Sequence, residues 1–133
     1  MSDKFDIASK IYAGLTKRGL PDHIAKGILG NMKVESRLDS GINEISPLVK
    51  GSRGGFGLNQ WTGPRRRAFE QFVQQRGVAP NDLEAQLDYT VQELQGPEKK
   101  AFGALMQTKS PEEAARLLSL FFITYLVARL SLV

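Results

Sequence analysis

One glutamate stands out by its setting. Glu35 follows an apolar stripe of Ile24, Ala25, Ile28, Leu29 and Met32, and it precedes a stretch rich in glycine. That spacing places it at the end of an amphipathic helix with apolar neighbours on its face. A carboxyl so placed keeps its proton to higher pH, because desolvation disfavours the anion. An acid still protonated near its working pH can protonate a leaving oxygen, as general acid cleavage of a glycoside requires. The plainer alternative is a solvated glutamate, although the last turn of a helix is an unfavourable place for negative charge.

Glycosidases commonly pair two carboxylates across the bond they cut. Glu44, nine residues beyond Glu35, is the first candidate for the second group and Asp39 the other. Both also read as solvated loop acids. The remaining chemistry is sparse. The chain has no cysteine and a single histidine, His23, so thiolate metal sites are excluded. His23 has no partners at suggestive positions for a metal or a catalytic triad and reads as an exposed first-turn residue. No phosphate-binding loop, dinucleotide fingerprint or calcium loop is present. We expect no metal and no cofactor. Arg65, Arg66 and Arg67 form a basic run at a helix start, read as a solvated face with Arg65 in a local salt bridge.

The elements that must position these groups read as mostly helical. Ile7, Ile11 and Leu15 recur every four residues and predict a helix over about 5–18. Gly19-Leu20-Pro21 ends it and opens the helix that leads to Glu35. Residues 36–63 break the helical period; they hold Gly41, Gly51, Gly54, Gly55, Gly57, Gly63 and Pro47. Gly55 to Trp61 alternates in character and predicts a small β-hairpin. A long non-helical insert of this kind is uncommon unless it is functional.

Helix resumes after Gly63-Pro64, with Phe69, Phe72 and Val73 inward, and stops at Gly77 and Pro80. Leu83, Leu87, Val91 and Leu94 mark a further helix, capped by Asn81 or Asp82 and ended by Gly96-Pro97. A short helix follows over about 98–107. Ser110-Pro111-Glu112-Glu113 is a capping box that opens a last helix over about 111–133. Its run Leu117 to Ala128 is apolar on all sides but shorter than the roughly 20 residues a membrane span needs. It reads as a core helix, with a membrane-active tail as the alternative.

At 133 residues the chain suits one domain, 1–133, that builds a core without disulfides. Its 18 basic and 14 acidic residues leave a formal charge of +4. That suits an anionic polymer, and equally a protein with no such partner. No helix carries a clustered basic face with a recognisable reading motif, so nucleic acid is not expected as a partner. Met1 to Asp6 lacks the apolar core of a secretory leader, and none is expected.

Taken in order, Asn31 to Ser36, then Gly55-Phe56-Gly57-Leu58-Asn59-Gln60-Trp61, then Gly63 and Arg65, resemble the phage tail-lysozyme group of the lysozyme-like superfamily. Ile11 to Leu15, Arg18 to Pro21, Leu83 to Tyr89 with Glu93-Leu94, and Ser110 to Ala115 extend the likeness over about 7–119. The resemblance implies an α+β, mostly helical, two-lobed domain with a small β-sheet and a substrate groove. It implies a muramidase that cleaves the β-1,4 bond between N-acetylmuramic acid and N-acetylglucosamine in bacterial peptidoglycan. Glu35 matches the family's catalytic acid, and Glu44 is the candidate partner. Gln60 and Trp61 match its Q-W pair, as sugar contacts or, for Trp61, as a brace against the core. Phe56 and Asn59 complete the candidate substrate-binding set.

Lytic transglycosylation with the same acid is one alternative, and a wall-binding or structural tail domain is another. The resemblance further implies synthesis in the host cytoplasm and action on the wall, after release or within a phage-tail-like particle. The apolar C-terminal stretch departs from the group's usual polar-aromatic ending.

Overall fold

The computed structural model describes residues 3–44, 51–96 and 99–130, with residues 3–5, 99, 101 and 121–130 described by backbone alone. Six helices run in order through these residues: α1 Asp3–Lys17, α2 Asp22–Ser36, α3 Gly63–Arg76, α4 Leu83–Gln95, α5 Lys99–Met106 and α6 Pro111–Leu130. The mostly helical character read from the periodicity is the character of the fold.

The apolar stripes bury as their spacing requires. Ile11 and Leu15 of α1 are fully enclosed, as are Ile24 and Met32 of α2. They pack with Leu87, Val91 and Leu94 of α4, Leu105 of α5 and Leu118 of α6 into the main core. Helices α2 and α6 lie very close together. A Cβ on Gly27 would stand 2.7 Å from the Ala114 Cβ and 3.0 Å from the Pro111 carbonyl oxygen. Asn31 Nδ2 donates across the same contact to the Ala115 carbonyl at 3.0 Å. At the start of α6 the Ser110 hydroxyl caps the Glu113 amide at 3.1 Å, which satisfies one of the first-turn donors.

A second cluster lies on the other face of α4. Trp61, Phe69, Val73, Ala85 and Tyr89 are buried together, with Phe56 and Phe72 at the margin. Trp61 stacks on Phe69 at 4.3 Å between ring centres, and Tyr89 meets both rings edge-on at 5.5 Å. Helix α4 therefore carries both cores. Leu87, Val91 and Leu94 face one, and Ala85 and Tyr89 face the other.

The insert is less regular than a sheet. Among the described residues two isolated antiparallel bridges, Asn43 with Phe56 and Phe56 with Trp61, stand where the alternation predicts a hairpin. Glycine supplies no side chain for cross-strand packing, and among the described residues the pairing does not extend into a ladder. The turn between Phe56 and Trp61 closes through Gln60 N to Gly57 O at 3.1 Å, with Gly57 at φ 77°.

The expectations of a solvated arginine face and of an exposed His23 need correction. Of the three arginines only Arg67 is exposed; Arg65 and Arg66 are half-buried. His23 is likewise half-buried, and its Nε2 is enclosed without a hydrogen-bond partner among the described residues. No helix among the described residues is long and apolar enough to cross a membrane. The expectations for Pro47, Pro97, residues 131–133 and the apolar side chains from Phe121 onward lie outside the described residues.

Candidate active site

Glu35 occupies the last turn of α2. The helix ends abruptly behind it. Arg37 and Leu38 both adopt left-handed backbone, at φ 54° and 62°. Two successive non-glycine residues in that region are uncommon, and each costs on the order of 1 kcal/mol or more. Burial of Leu38 and the Ser36 hydroxyl bond to the Met32 carbonyl, 2.7 Å, hold the turn in place. It reverses the chain, so that residues 42–44 run back beside residues 55–57.

Glu44 is fixed in that pairing. Its backbone amide donates to the Gly55 carbonyl at 2.8 Å, and its Oε2 accepts from the Gly55 amide at 3.0 Å. Helix α3 braces the same strip. Arg53 pairs with Glu70 through two bonds of 2.7 and 2.6 Å, and Arg66 donates to the Gly54 carbonyl at 3.0 Å. Glu44 thus projects from a short braced segment although it is itself exposed.

The Glu35 residue is exposed, yet its carboxyl is held above the ordinary glutamate range. Desolvation by the surrounding protein is the largest cause; the positive charge of Arg65 opposes it and the negative charge of Glu44 adds to it. This is partial desolvation of the acid group, not enclosure of the side chain. The acid, a second carboxylate and a guanidinium therefore share one electrostatic neighbourhood, brought together from α2, the insert and α3.

Behind them lies a buried polar group. Arg65 donates through Nε to Glu93 Oε2 at 2.8 Å and through Nη2 to Glu93 Oε1 at 2.6 Å. Trp61 Nε1 adds a third bond to Glu93 Oε1 at 3.1 Å. The two charged side chains are only 10% and 7% exposed. Glu93 also borders a cavity of about 10 Å³ together with Asn31, Asn59 and Thr90. Asn31 sits one turn before Glu35 on α2.

The other candidate residues divide by exposure. Phe56 is half-buried, with the Arg66 guanidinium 5.2 Å above its ring. Gln60 is also half-buried, folded back so that Nε2 donates to the Gly57 carbonyl at 3.0 Å. Asn59 turns inward and donates to the Thr90 hydroxyl at 2.9 Å. Trp61 has no accessible surface and so presents no ring face for stacking on a sugar. Asp39 is exposed and accepts from the Gly41 amide at 2.9 Å in a local turn. No group of three or more potential metal ligands is assembled among the described residues.

Three supporting residues escaped the sequence reading as functional groups: Gln86, Thr90 and Glu93. A signal was present. They form a polar stripe at helical spacing, one position ahead of the apolar stripe Leu87, Val91 and Leu94. Polar residues on a buried face must find partners, and here the partners come from the insert and α3.

The class defined by this arrangement is a small helical domain that presents a desolvated carboxylic acid at a helix end, beside a braced glycine-rich insert. A family model of phage tail lysozymes matches residues 6–124, and the chain belongs to that family. Its functional class is that of a lysozyme-like enzyme that acts on peptidoglycan. A comparison with curated proteins gave no match.

Proposed function

We propose that the protein is a muramidase that cleaves the β-1,4 bond from N-acetylmuramic acid to N-acetylglucosamine, with Glu35 as the general acid. One observation carries the reading. The carboxyl at the end of α2 is held above the ordinary glutamate range by desolvation, with the Glu44 charge adding to the effect. An acid in that state is protonated where an ordinary glutamate has ionised.

In the proposed reaction Glu35 gives its proton to the glycosidic oxygen as the bond from that oxygen to the muramic acid C1 breaks. Positive charge develops on C1 and the ring oxygen. The Glu44 carboxylate, held by the Gly55 amide, stabilises that charge and accepts a proton from the water that adds to C1. Solvent then returns both carboxyl groups to their starting states. The glycan lies in a groove along the insert, where Phe56 and Gln60 contact it. Asn59 and Trp61 hold the turn from behind, through Thr90 and Glu93.

The test is mass spectrometry of products released from purified peptidoglycan by the wild type and by Glu35→Gln. Reducing muramic acid ends from the wild type alone support the reading. Anhydro-muramic ends move the reaction to lytic transglycosylation with the same acid. A folded wild type that releases nothing makes the protein a wall-binding or structural domain.

A further inference from the structure

One peptide group joins helix α3 to Glu44. The carbonyl of the Gly54–Gly55 peptide accepts from Arg66 Nη1 at 3.0 Å. The amide of the same peptide, Gly55 N, donates to Glu44 Oε2 at 3.0 Å. A trans peptide is planar, with its C=O and N–H pointing opposite ways. A grip on the oxygen therefore sets the direction of the hydrogen.

The flanking residues make that grip matter. Both are glycine, so no side chain restricts the torsions on either side of this peptide. Gly54 stands at φ 82°, in the left-handed region. The peptides before and after it have partners of their own: Gly54 N donates to Ser52 Oγ at 2.9 Å, and the Gly55 carbonyl accepts from the Glu44 amide at 2.8 Å. The plane between them is fixed at its oxygen by Arg66 alone among the described residues.

Arg66 is itself held. Its side chain is only 11% exposed. Nε donates to Glu70 Oε2 at 3.3 Å, Nη1 also reaches the Arg53 carbonyl at 3.2 Å, and the guanidinium lies 5.2 Å from the centre of the Phe56 ring. A planar fork so fixed presents its donor in one direction. A charged donor on the carbonyl also polarises the peptide and strengthens its N–H toward an acceptor. We propose that Arg66 is a positioning residue for Glu44: through the Gly54–Gly55 peptide it aims an amide at Oε2 and leaves Oε1 for the water and the sugar. Oε1 makes no hydrogen bond among the described residues. The inference rests on Glu44 being the second carboxylate.

The experiment combines NMR of the Gly55 amide with kcat and KM on soluble glycan strands, for the wild type, Arg66→Gln, Arg66→Lys and Arg53→Gln. In the wild type the Gly55 amide nitrogen should couple to the Glu44 side-chain carboxyl carbon across the hydrogen bond. Arg66→Gln should lose that coupling, and its kcat should fall roughly ten- to a hundredfold with KM unchanged, as for a misplaced group. Arg66→Lys keeps a cation that reaches one acceptor at a time, and it should fall between the two in both readouts. Arg53→Gln loosens the brace through Glu70 but leaves the Gly54 carbonyl its donor, and it should keep the coupling. A folded Arg66→Gln that keeps either the coupling or the wild-type kcat overturns the inference. So does an equal loss of coupling in Arg53→Gln, which would make Arg66 one part of a structural brace. If only the lysine variant folds, wild-type coupling and kcat in it overturn the inference. The underlying reading fails separately: full activity in Glu44→Gln removes Glu44 from the mechanism, while the coupling still reports whether Arg66 sets the peptide.

Discussion

Gln86 holds the insert to α4 through the backbone of Leu58. The Gln86 Oε1 accepts from the Leu58 amide at 2.9 Å, while Nε2 donates to the carbonyls of Ser40 at 2.7 Å and Pro80 at 2.8 Å. One fully buried carboxamide thus satisfies backbone groups from three segments. A side chain at Gly57 would meet it at 2.8 Å, so the close approach requires glycine there. Gln86→Leu keeps the volume but strips all three groups of their partner. We expect a loss of about 2–4 kcal/mol, read as a lower midpoint in urea. A change within error would mean that the insert does not depend on this residue.

Glu35 should trade stability for reactivity. Its carboxyl is raised by desolvation first, with the Arg65 charge opposing and the Glu44 charge adding. The folded protein therefore binds a proton that the unfolded chain releases at the ordinary glutamate value of about 4.3. Stability from this group is fully present below that value and is lost as pH rises through the raised folded value. Glu35→Gln removes the penalty. The variant should melt at a higher temperature than the wild type at neutral pH, and the gap should close under acid. A variant that melts lower at neutral pH would contradict this.

Asp88 should behave in the opposite sense. It is partly desolvated, which raises its pKa, but bonds from Arg18 Nε at 2.7 Å and Arg76 Nη1 at 2.5 Å outweigh that and hold it below the aspartate range. Its stabilising contribution is present above the ordinary value of about 3.9 and disappears as pH falls through the lower folded value. Asp88→Asn should therefore melt below the wild type at pH 6, with the difference shrinking below the ordinary value. A gap that is constant across this range would point to lost hydrogen bonds alone.

Two glycines on α2 should respond in opposite directions. Gly27→Ala must push α6 away from backbone and side-chain atoms that lie within 3.0 Å of the new carbon. It should cost about 1–3 kcal/mol, despite the better helix propensity of alanine. Gly30→Ala meets nothing within 4 Å and should gain about 0.5–1 kcal/mol. Thermal melts of the two variants test the pair, and a stabilised Gly27→Ala would show that the α2–α6 contact yields easily.

The helices were legible because their signals are local. Ile7, Ile11 and Leu15 give the period of α1, and the Asn81 or Asp82 alternative resolves to Asp82, whose Oδ2 caps the Ala85 amide at 2.9 Å. The place of Glu35 at a helix end was legible for the same reason: the apolar stripe and the glycines that follow it sit within one short segment. The groups that support it were not. Glu93 lies 28 residues from Arg65, and Gln86 lies 28 residues from Leu58. A helical period reports which face is buried, not which distant segment covers it. Of the expected hairpin the described residues of the insert form two isolated bridges, because glycine leaves little to pack across the pair.

The grip of Gln86 on Leu58 also bears on how the molecule breathes. A surface insert normally opens on its own and lets its amide protons exchange with solvent quickly. The Leu58 amide can exchange only after it leaves an acceptor rooted in α4, the helix that carries both cores. In deuterium oxide it should keep its proton as long as the helical interior does, so that the glycine-rich wall beside the acid breathes only when the whole domain does.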